Sequence, residues 1–311
     1  MNPETMKAII YTEYGAPDVL RLADVSKPVP KSNELLIRVH ASSVSSGAIW
    51  VRQGRFPTSK ILTSLLRLMF GITKPKRPII GFEFSGIVED IGENVRRFTK
   101  GDEVYGTTTG LKQGSYAEYV CVPETWRQGV VAIKPPTLTF EEAAVLPVGS
   151  MTALHLLTKA RLQAGQNVLI YGASGSVGTF GVQIAKYFGA RVTGVCSTGN
   201  VGLVRSLGAD AVLAYTKEDM TQSKEQFDIV FDAVGKLKTS ELKSLLRKGG
   251  TFCSVKSPTD EKLEYLDALH TMIAAGRLKP VIDRSYPFEQ MVEAHRYVDA
   301  GHKKGNVIIR H

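Results

Sequence analysis

Val168-Leu169-Ile170-Tyr171-Gly172-Ala173-Ser174-Gly175-Ser176-Val177-Gly178 is the stretch on which the fold turns. Four residues of strand character run into glycines at three-residue spacing, and a helical pattern follows toward Phe188. The order strand, tight turn, helix brings unpaired backbone N–H groups and the positive end of a helix dipole to one point, where a pyrophosphate is favoured. Gly172, Ala173, Ser174, Gly175, Ser176, Val177 and Gly178 are therefore candidate cofactor-binding residues. The spacing departs from a strict GxGxxG, because Ser174 stands where that pattern has its middle glycine.

Downstream, a second strand is predicted over Val192–Cys196, leading into Ser197-Thr198-Gly199-Asn200. Sites that prefer NAD place an acid near this point, about 20 residues beyond the glycine turn, to accept from the ribose 2′-hydroxyl. No Asp or Glu occurs here before Asp210. Without a carboxylate to repel a 2′-phosphate, and with hydroxyl and amide donors at Ser197 and Asn200, the reading is NADPH.

Further strand-like runs, Ala211–Ala214, Ile229–Phe231 and Thr251–Val255, alternate with helical segments, which predicts a doubly wound parallel α/β sheet. Ahead of it, Thr139 reads as the N-cap of a helix over Phe140–Leu157, after a linker at Pro135-Pro136. The first 130 residues differ in style. Short apolar runs such as Ala8–Tyr11 and Leu35–Val39, separated by Gly15, Pro17, Pro28 and Pro30, read as strands and turns. The tail ends in another apolar run, Val307–Ile309, expected to rejoin this β unit. The expected domains are 1–130 with 278–311, and 131–277.

Composition agrees with two packed domains: 311 residues, 43% hydrophobic and 22% charged. No apolar run is long enough to span a membrane, and Met1–Ile10 has no signal-like apolar core. Cys121, Cys196 and Cys253 lie far apart with no CxxC pair, so neither a disulfide framework nor a zinc cluster is predicted, and a cytoplasmic setting is expected. A net charge of +9 admits an anionic ligand, a nucleic acid or a solvated surface. No basic motif with interleaved aromatics supports the nucleic acid.

Several spaced motifs, taken together, resemble the medium-chain dehydrogenase/reductase superfamily, in its zinc-free quinone oxidoreductase-like branch. They are Gly81-Phe82-Glu83-Phe84-Ser85-Gly86, Gly101-Asp102-Glu103-Val104-Tyr105-Gly106, Ala144-Val145-Leu146-Pro147-Val148-Gly149, the glycine turn, Phe231-Asp232-Ala233-Val234-Gly235 and Gly305-Asn306-Val307-Ile308-Ile309. The resemblance implies a GroES-like β domain holding both chain ends, a Rossmann domain between them, and a homodimer. It places Thr152 near the nicotinamide, Ser197, Asn200 and Tyr215 near the 2′-phosphate, and Val234 and Asn306 against the cofactor.

Departures from the family pattern carry information of their own. Phe82 stands where zinc alcohol dehydrogenases of the superfamily have a histidine ligand, and Ala41–Gly47 holds no cysteine. No metal site is expected, and Glu83 reads as structural. Ser45 and Trp50 match an Asn and a Tyr that line the substrate side in quinone reductases. Phe56 matches a tyrosine proton donor of the mitochondrial enoyl thioester reductases, and Asn200 matches a phosphate-binding lysine.

The expected activity is hydride transfer from NADPH to a quinone or an α,β-unsaturated carbonyl, with Ser45, Trp50 and Tyr105 as candidate pocket residues. Alternatives are a catalytically idle NADPH sensor, an RNA-binding protein, and a zinc-free alcohol or aldehyde dehydrogenase-like oxidoreductase. The segment from Ser59 to Arg77 carries five cations and no acid, with Ile61, Leu62, Leu65, Leu66, Leu68, Met69 and Phe70 between them. As a helix it suits a lid, an anionic-surface contact or a cover on the β domain.

Overall fold

A computed structural model describes residues 4–56, 59–112, 114–222 and 225–311. The expectation of no signal segment falls partly on residues 1–3, which lie outside them. In chain order the first elements are β1 (Thr5–Ile10), β2 (Arg21–Ser26), β3 (Glu34–Ser43), α1 (Ser46–Gln53), α2 (Lys60–Phe70), β4 (Glu83–Ile91), β5 (Glu103–Thr107), β6 (Tyr119–Pro123), β7 (Val131–Ile133) and α3 (Phe140–Ala144). There follow α4 (Pro147–Lys159), β8 (Asn167–Tyr171), α5 (Ser176–Tyr187), β9 (Arg191–Cys196), α6 (Val201–Ser206), β10 (Ala211–Ala214), β11 (Phe227–Asp232), α7 (Thr239–Leu245), β12 (Leu246–Ser254) and α8 (Leu263–Ala274). The chain ends with β13 (Ile282–Pro287), α9 (Met291–Asp299) and β14 (Asn306–Arg310).

Two compact units result, Met1–Pro147 with Ile282–His311, and Val148–Val281. The sequence reading sets the first boundary at 130/131, whereas the structure sets it at 147/148. The reason is α3, which packs on β3 and β4 of the first unit and whose Phe140 carbonyl accepts from Ser85 Oγ at 2.5 Å. The helix expected over Phe140–Leu157 is two helices. Its start is as read, with a capping box in which Thr139 Oγ1 accepts from Glu142 N at 3.2 Å and Glu142 Oε2 accepts from Thr139 N at 3.1 Å. Pro147 divides the run, since it supplies no N–H and disfavours helical backbone at Leu146 before it.

In the first unit, the main sheet runs β13-β14-β3-β4-β5-β7, with β6 also pairing β3, while β1 and β2 form a separate ribbon. The terminal apolar run does return to this unit, with Ile308 opposite Ser43 and Ile309 opposite Ser42. One core lies between strands and α1 and α9 (Ile9, Tyr11, Ala48, Val51, Tyr116, Met291, Ile309), and another inside the strands around Phe84 and Val104. Arg52 is fully buried on α1 and reaches Asp299 on α9 at 2.6 Å, beside buried His295.

In the second unit, five parallel strands run β10-β9-β8-β11-β12. All six residues of β11 are buried, as expected of a central parallel strand covered on both faces. The chain leaves β8 to one side for β9 and β10, then to the other for β11 and β12. The order therefore reverses between β8 and β11, where ligands of such sheets settle beyond the carboxyl ends of the strands.

Candidate nucleotide site and acceptor-side residues

The carboxyl end of β8 opens into the glycine turn. Gly172 sits at φ +80, in the left-handed region that favours glycine, and a Cβ there would lie 2.1 Å from Val234 Cγ2. The turns after β8 and β11 are thus in contact at the reversal point. Gly178 serves packing, because a Cβ on it would lie 2.1 Å from the Gly172 carbonyl oxygen and 2.9 Å from Ala173 Cα. Gly175 is different, with open space over its Cα and nothing nearer than the Gly172 oxygen at 3.5 Å. It is the N-cap of α5, and no side chain caps that helix start. An uncapped twelve-residue helix with a bare Cα at its mouth suits a pyrophosphate.

Neighbouring chain segments fix this turn. Gly172 N and Ala173 N both donate to Val195 O at 3.0 Å, which ties the turn to the end of β9. Asn200 Nδ2 donates to Ser174 Oγ at 3.1 Å, bringing together two residues singled out from the sequence. Ser197 is half-buried at the end of β9, and its carbonyl accepts from Asn200 N at 2.9 Å. Across the next loop, Thr198 Oγ1 and Thr216 Oγ1 share a hydrogen bond of 2.5 Å, and Tyr215 beside it is more than half exposed. Hydroxyl and amide groups therefore gather beyond β9 and β10.

Asp210, the first acid after the glycine turn, belongs to the other end of β9. It accepts from Val192 N at 2.7 Å and pairs with Lys186 Nζ at 2.8 Å. These contacts hold its carboxyl below the usual range against the opposing effect of burial. Val192 lies four residues from Cys196, about 13 Å along a strand. Asp210 does not take the place of a ribose-binding acid.

Thr152 lies on α4, whose start touches α5: a Cβ on Gly149 would lie 3.0 Å from Ser176 Oγ. Three residues on, Thr152 shares that helix face and is half-buried. Asn306 opens β14 in the first unit, buried and in register with Ile282.

Sequence reasoning passed over Asp232 as a site residue. Its Oδ1 accepts from Val234 N at 3.0 Å and Gly235 N at 2.7 Å, and its Oδ2 from Leu237 N at 3.0 Å. One buried carboxylate thus shapes the loop that presents Val234, which is 44% exposed, to the glycine turn. The signal was present in Phe227-Asp228-Ile229-Val230-Phe231-Asp232: an acid closing a buried strand must find donors nearby.

The acceptor-side candidates all fall in the first unit, with differing fates. Ser45 is the N-cap of α1, its Oγ accepting from Ala48 N at 3.3 Å. Trp50 is half-buried, with its ring centroid 4.5 Å from that of Phe56. Tyr105 is fully buried in β5, in register with Ser85 of β4 and Ala132 of β7. A small pocket in this unit is instead lined by Phe70, Arg77, Ile80, Phe82, Thr108 and Leu111, and the three candidates do not line it. Phe82 also packs beside Gly47 of α1. Glu83 is buried, and Ser43 Oγ donates a short hydrogen bond to its Oε2, consistent with a structural role.

A five-stranded parallel sheet with a glycine turn at its reversal point, inserted in a β domain that holds both ends of the chain, defines a dinucleotide-binding oxidoreductase architecture. The family described as "Alcohol dehydrogenase GroES-like domain" matches residues 31–135, and that described as "Zinc-binding dehydrogenase" matches 207–267 and 258–309. The chain is 35% identical over 327 residues to a 2-methylene-furan-3-one reductase of Solanum lycopersicum, covering 99% of this chain and 79% of the relative. It is 31% identical to a chloroplastic NADPH-dependent alkenal/one oxidoreductase of Arabidopsis thaliana, over 99% and 80%. The quinone oxidoreductase structure from Coxiella burnetii superposes with a TM-score of 0.84 at 27% identity, covering 99% of this chain and all of that one. The chain belongs to the medium-chain dehydrogenase/reductase superfamily, among its quinone and alkenal oxidoreductases.

Among the described residues, no three His, Cys, Asp or Glu side chains gather where they could hold a metal ion. Phe82 holds the place of the expected histidine, and its ring supplies no ligand atom. Also among the described residues, no helix is long and apolar enough to cross a membrane.

Proposed function

We propose that the protein is an NADPH-dependent reductase that delivers hydride to a quinone or an α,β-unsaturated carbonyl without a metal. The observation that carries this is the open glycine turn at the sheet reversal, coupled through Asn200 and Ser174 to a β9 end that has no acid. Membership among the quinone and alkenal oxidoreductases supports the same reading.

When bound, the cofactor supplies a hydride from its nicotinamide, and the acceptor takes up one proton in addition. The chain's own part is binding and orientation, which can remove much of the entropic barrier to a bimolecular transfer. The start of α5 and Gly175 receive the pyrophosphate. Ser197, Asn200 and Tyr215 receive the 2′-phosphate with neutral donors, and Thr152 on α4 orients the nicotinamide end. Val234, braced by Asp232, limits the nucleotide from the β11 side.

Ser45 and Trp50 belong to the acceptor side, with Phe82 in place of a metal ligand. Ser45 Oγ accepts from Ala48 N and keeps its own O–H, whereas Phe56 has no dissociable proton, so water or a hydroxyl supplies the proton. A cytoplasmic setting and a homodimer belong to the same proposal, supported by three free cysteines and by β12, a sheet edge with one strand neighbour.

Initial rates followed at 340 nm with NADPH and NADH, against one quinone and one enone after chelator treatment, test the reading. NADPH-selective turnover that survives chelation is expected. Tight NADPH binding without turnover on either acceptor would favour the idle sensor. Turnover restored only by added zinc would refute metal independence.

A further inference from the structure

The helix α2 carries its apolar side outward. Ile61, Leu68, Met69 and the following Ile72 are 61–75% exposed, and Leu65 is half exposed. With Leu62, positions 61, 62, 65, 68 and 69 form one stripe at helical spacing, and exposed Ile72 follows just past the helix end. Monomer surfaces usually scatter such residues singly, and a contiguous patch marks a contact site.

The opposite face already fastens the helix. Leu66 and Phe70 pack on the core of the first unit, Tyr14 Oη donates to Gly71 O at 2.6 Å, and Arg67 donates to Gly54 O at 2.9 Å and Ile72 O at 3.0 Å. Thr63 Oγ1 accepts from Phe56 N at 2.9 Å. None of the outward side chains takes part in these fastenings, Ile72 joining them only through its backbone carbonyl.

We propose that this outward face docks on an anionic lipid surface. Lys60 stands at one end of the stripe and Lys74 and Lys76 just beyond the other, all exposed, and none forms an ion pair among the described residues. Residues 59–77 contain no acid, so the charge this segment itself brings to the patch has one sign. An eleven-residue helix is about 16 Å long, with an apolar face suited to lie in the plane of a bilayer while its rim meets headgroup phosphates. A second copy is the poorer occupant. A two-fold contact would set this cationic rim against itself, with no acid in the segment to offset it.

The proposal does not rest on the reductase reading, because vesicle binding needs no turnover. The full chain is sedimented with vesicles of phosphatidylcholine alone and of phosphatidylcholine mixed with phosphatidylglycerol, at low and raised salt. Binding to the mixed vesicles only, weakened by salt, is expected. Replacing Lys60, Lys74 and Lys76 together by Gln should weaken it on the order of 100-fold. Leu65→Glu with Leu68→Glu should abolish it while NADPH affinity stays unchanged. The lysine variant keeps the test valid should the glutamate variant fail to fold.

Absence of binding to the anionic vesicles, or equal binding by folded variants, would overturn the proposal. A shift from dimer to monomer in the glutamate variant, seen by light scattering, would assign the face to a second copy instead. A raised acceptor KM without any vesicle binding would make it a substrate lid.

Discussion

Replacing Gly175 by Ala separates nucleotide binding from folding in one residue. In the free protein the new methyl would meet only the Gly172 oxygen at 3.5 Å, an ordinary contact, and the backbone at φ −82, ψ 177 is open to any residue. Alanine is a poorer N-cap than glycine by about 0.5–1 kcal/mol. It also restricts the unfolded chain, which returns about 0.4–1 kcal/mol. The two nearly cancel, so stability should change by less than about 0.5 kcal/mol and Tm by less than roughly 2 °C. If a pyrophosphate occupies the open space over this Cα, the methyl is overpacked only in the complex. Such overpacking costs about 1–3 kcal/mol, a rise in Kd of roughly five- to 150-fold.

Gly178→Ala is the contrasting variant. Its methyl would meet backbone atoms at 2.1 and 2.9 Å, which cannot rotate away, so about 1–3 kcal/mol of stability should be lost even without ligand. Denaturant unfolding and a fluorescence titration with NADPH read both quantities. Unchanged NADPH affinity in Gly175→Ala would refute the placement of the pyrophosphate.

Asn200→Asp should lower the preference for NADPH over NADH by roughly tenfold or more, because a carboxylate opposes a 2′-phosphate and accepts from a ribose hydroxyl; paired Kd measurements check it. Asp232→Ala frees three backbone donors and should cost about 1.5–3 kcal/mol with a weaker grip on NADPH, read from urea midpoints and titration. Asp299→Ala leaves the buried Arg52 charge unpaired and should cost about 3–5 kcal/mol, whereas Arg52→Met should cost much less; equal losses in thermal unfolding would contradict this. Burial, with the Arg52 charge beside it, holds His295 down to about 3. The unfolded chain therefore binds the extra proton first. The stability from neutral His295 is complete above about pH 6.5 and declines toward pH 3, by about 2–3 kcal/mol at pH 4.5. His295→Phe should flatten that part of the stability–pH curve.

Much of this architecture was legible because the nucleotide-binding unit is written in local signals. The apolar runs at Val168 and Val192 each gained one residue at the start, the run at Ala211 kept its bounds, and the turn demanded glycine where backbones crowd. Thr139 and Glu142 announced a helix start through their spacing. The stop at Pro147 was also readable, but the Ala- and Leu-rich run across it masked the break. The domain boundary was less legible, since whether α3 belongs to the β domain depends on Ser85 and on partners distant in the chain.

Side-chain employment was the hidden part. Ser45 is identical in sequence whether it meets a substrate or caps α1, and only the Ala48 contact distinguishes the two. Tyr105 reads as a strand aromatic in either role, and its full burial depends on β4 and β7, partners distant in the chain. Likewise the apolar pattern of α2 announced an amphipathic helix without saying that its broader apolar face looks outward.

Hydride delivery itself is tested most directly by a single turnover with NADPH carrying deuterium at the transferring C4 position and an enone acceptor in ordinary water. One deuterium at the β-carbon of the saturated carbonyl product, found by mass spectrometry and unaffected by chelator, is the expected result. Cofactor oxidised with no deuterium in the product, or cofactor bound tightly with no product formed, would contradict it.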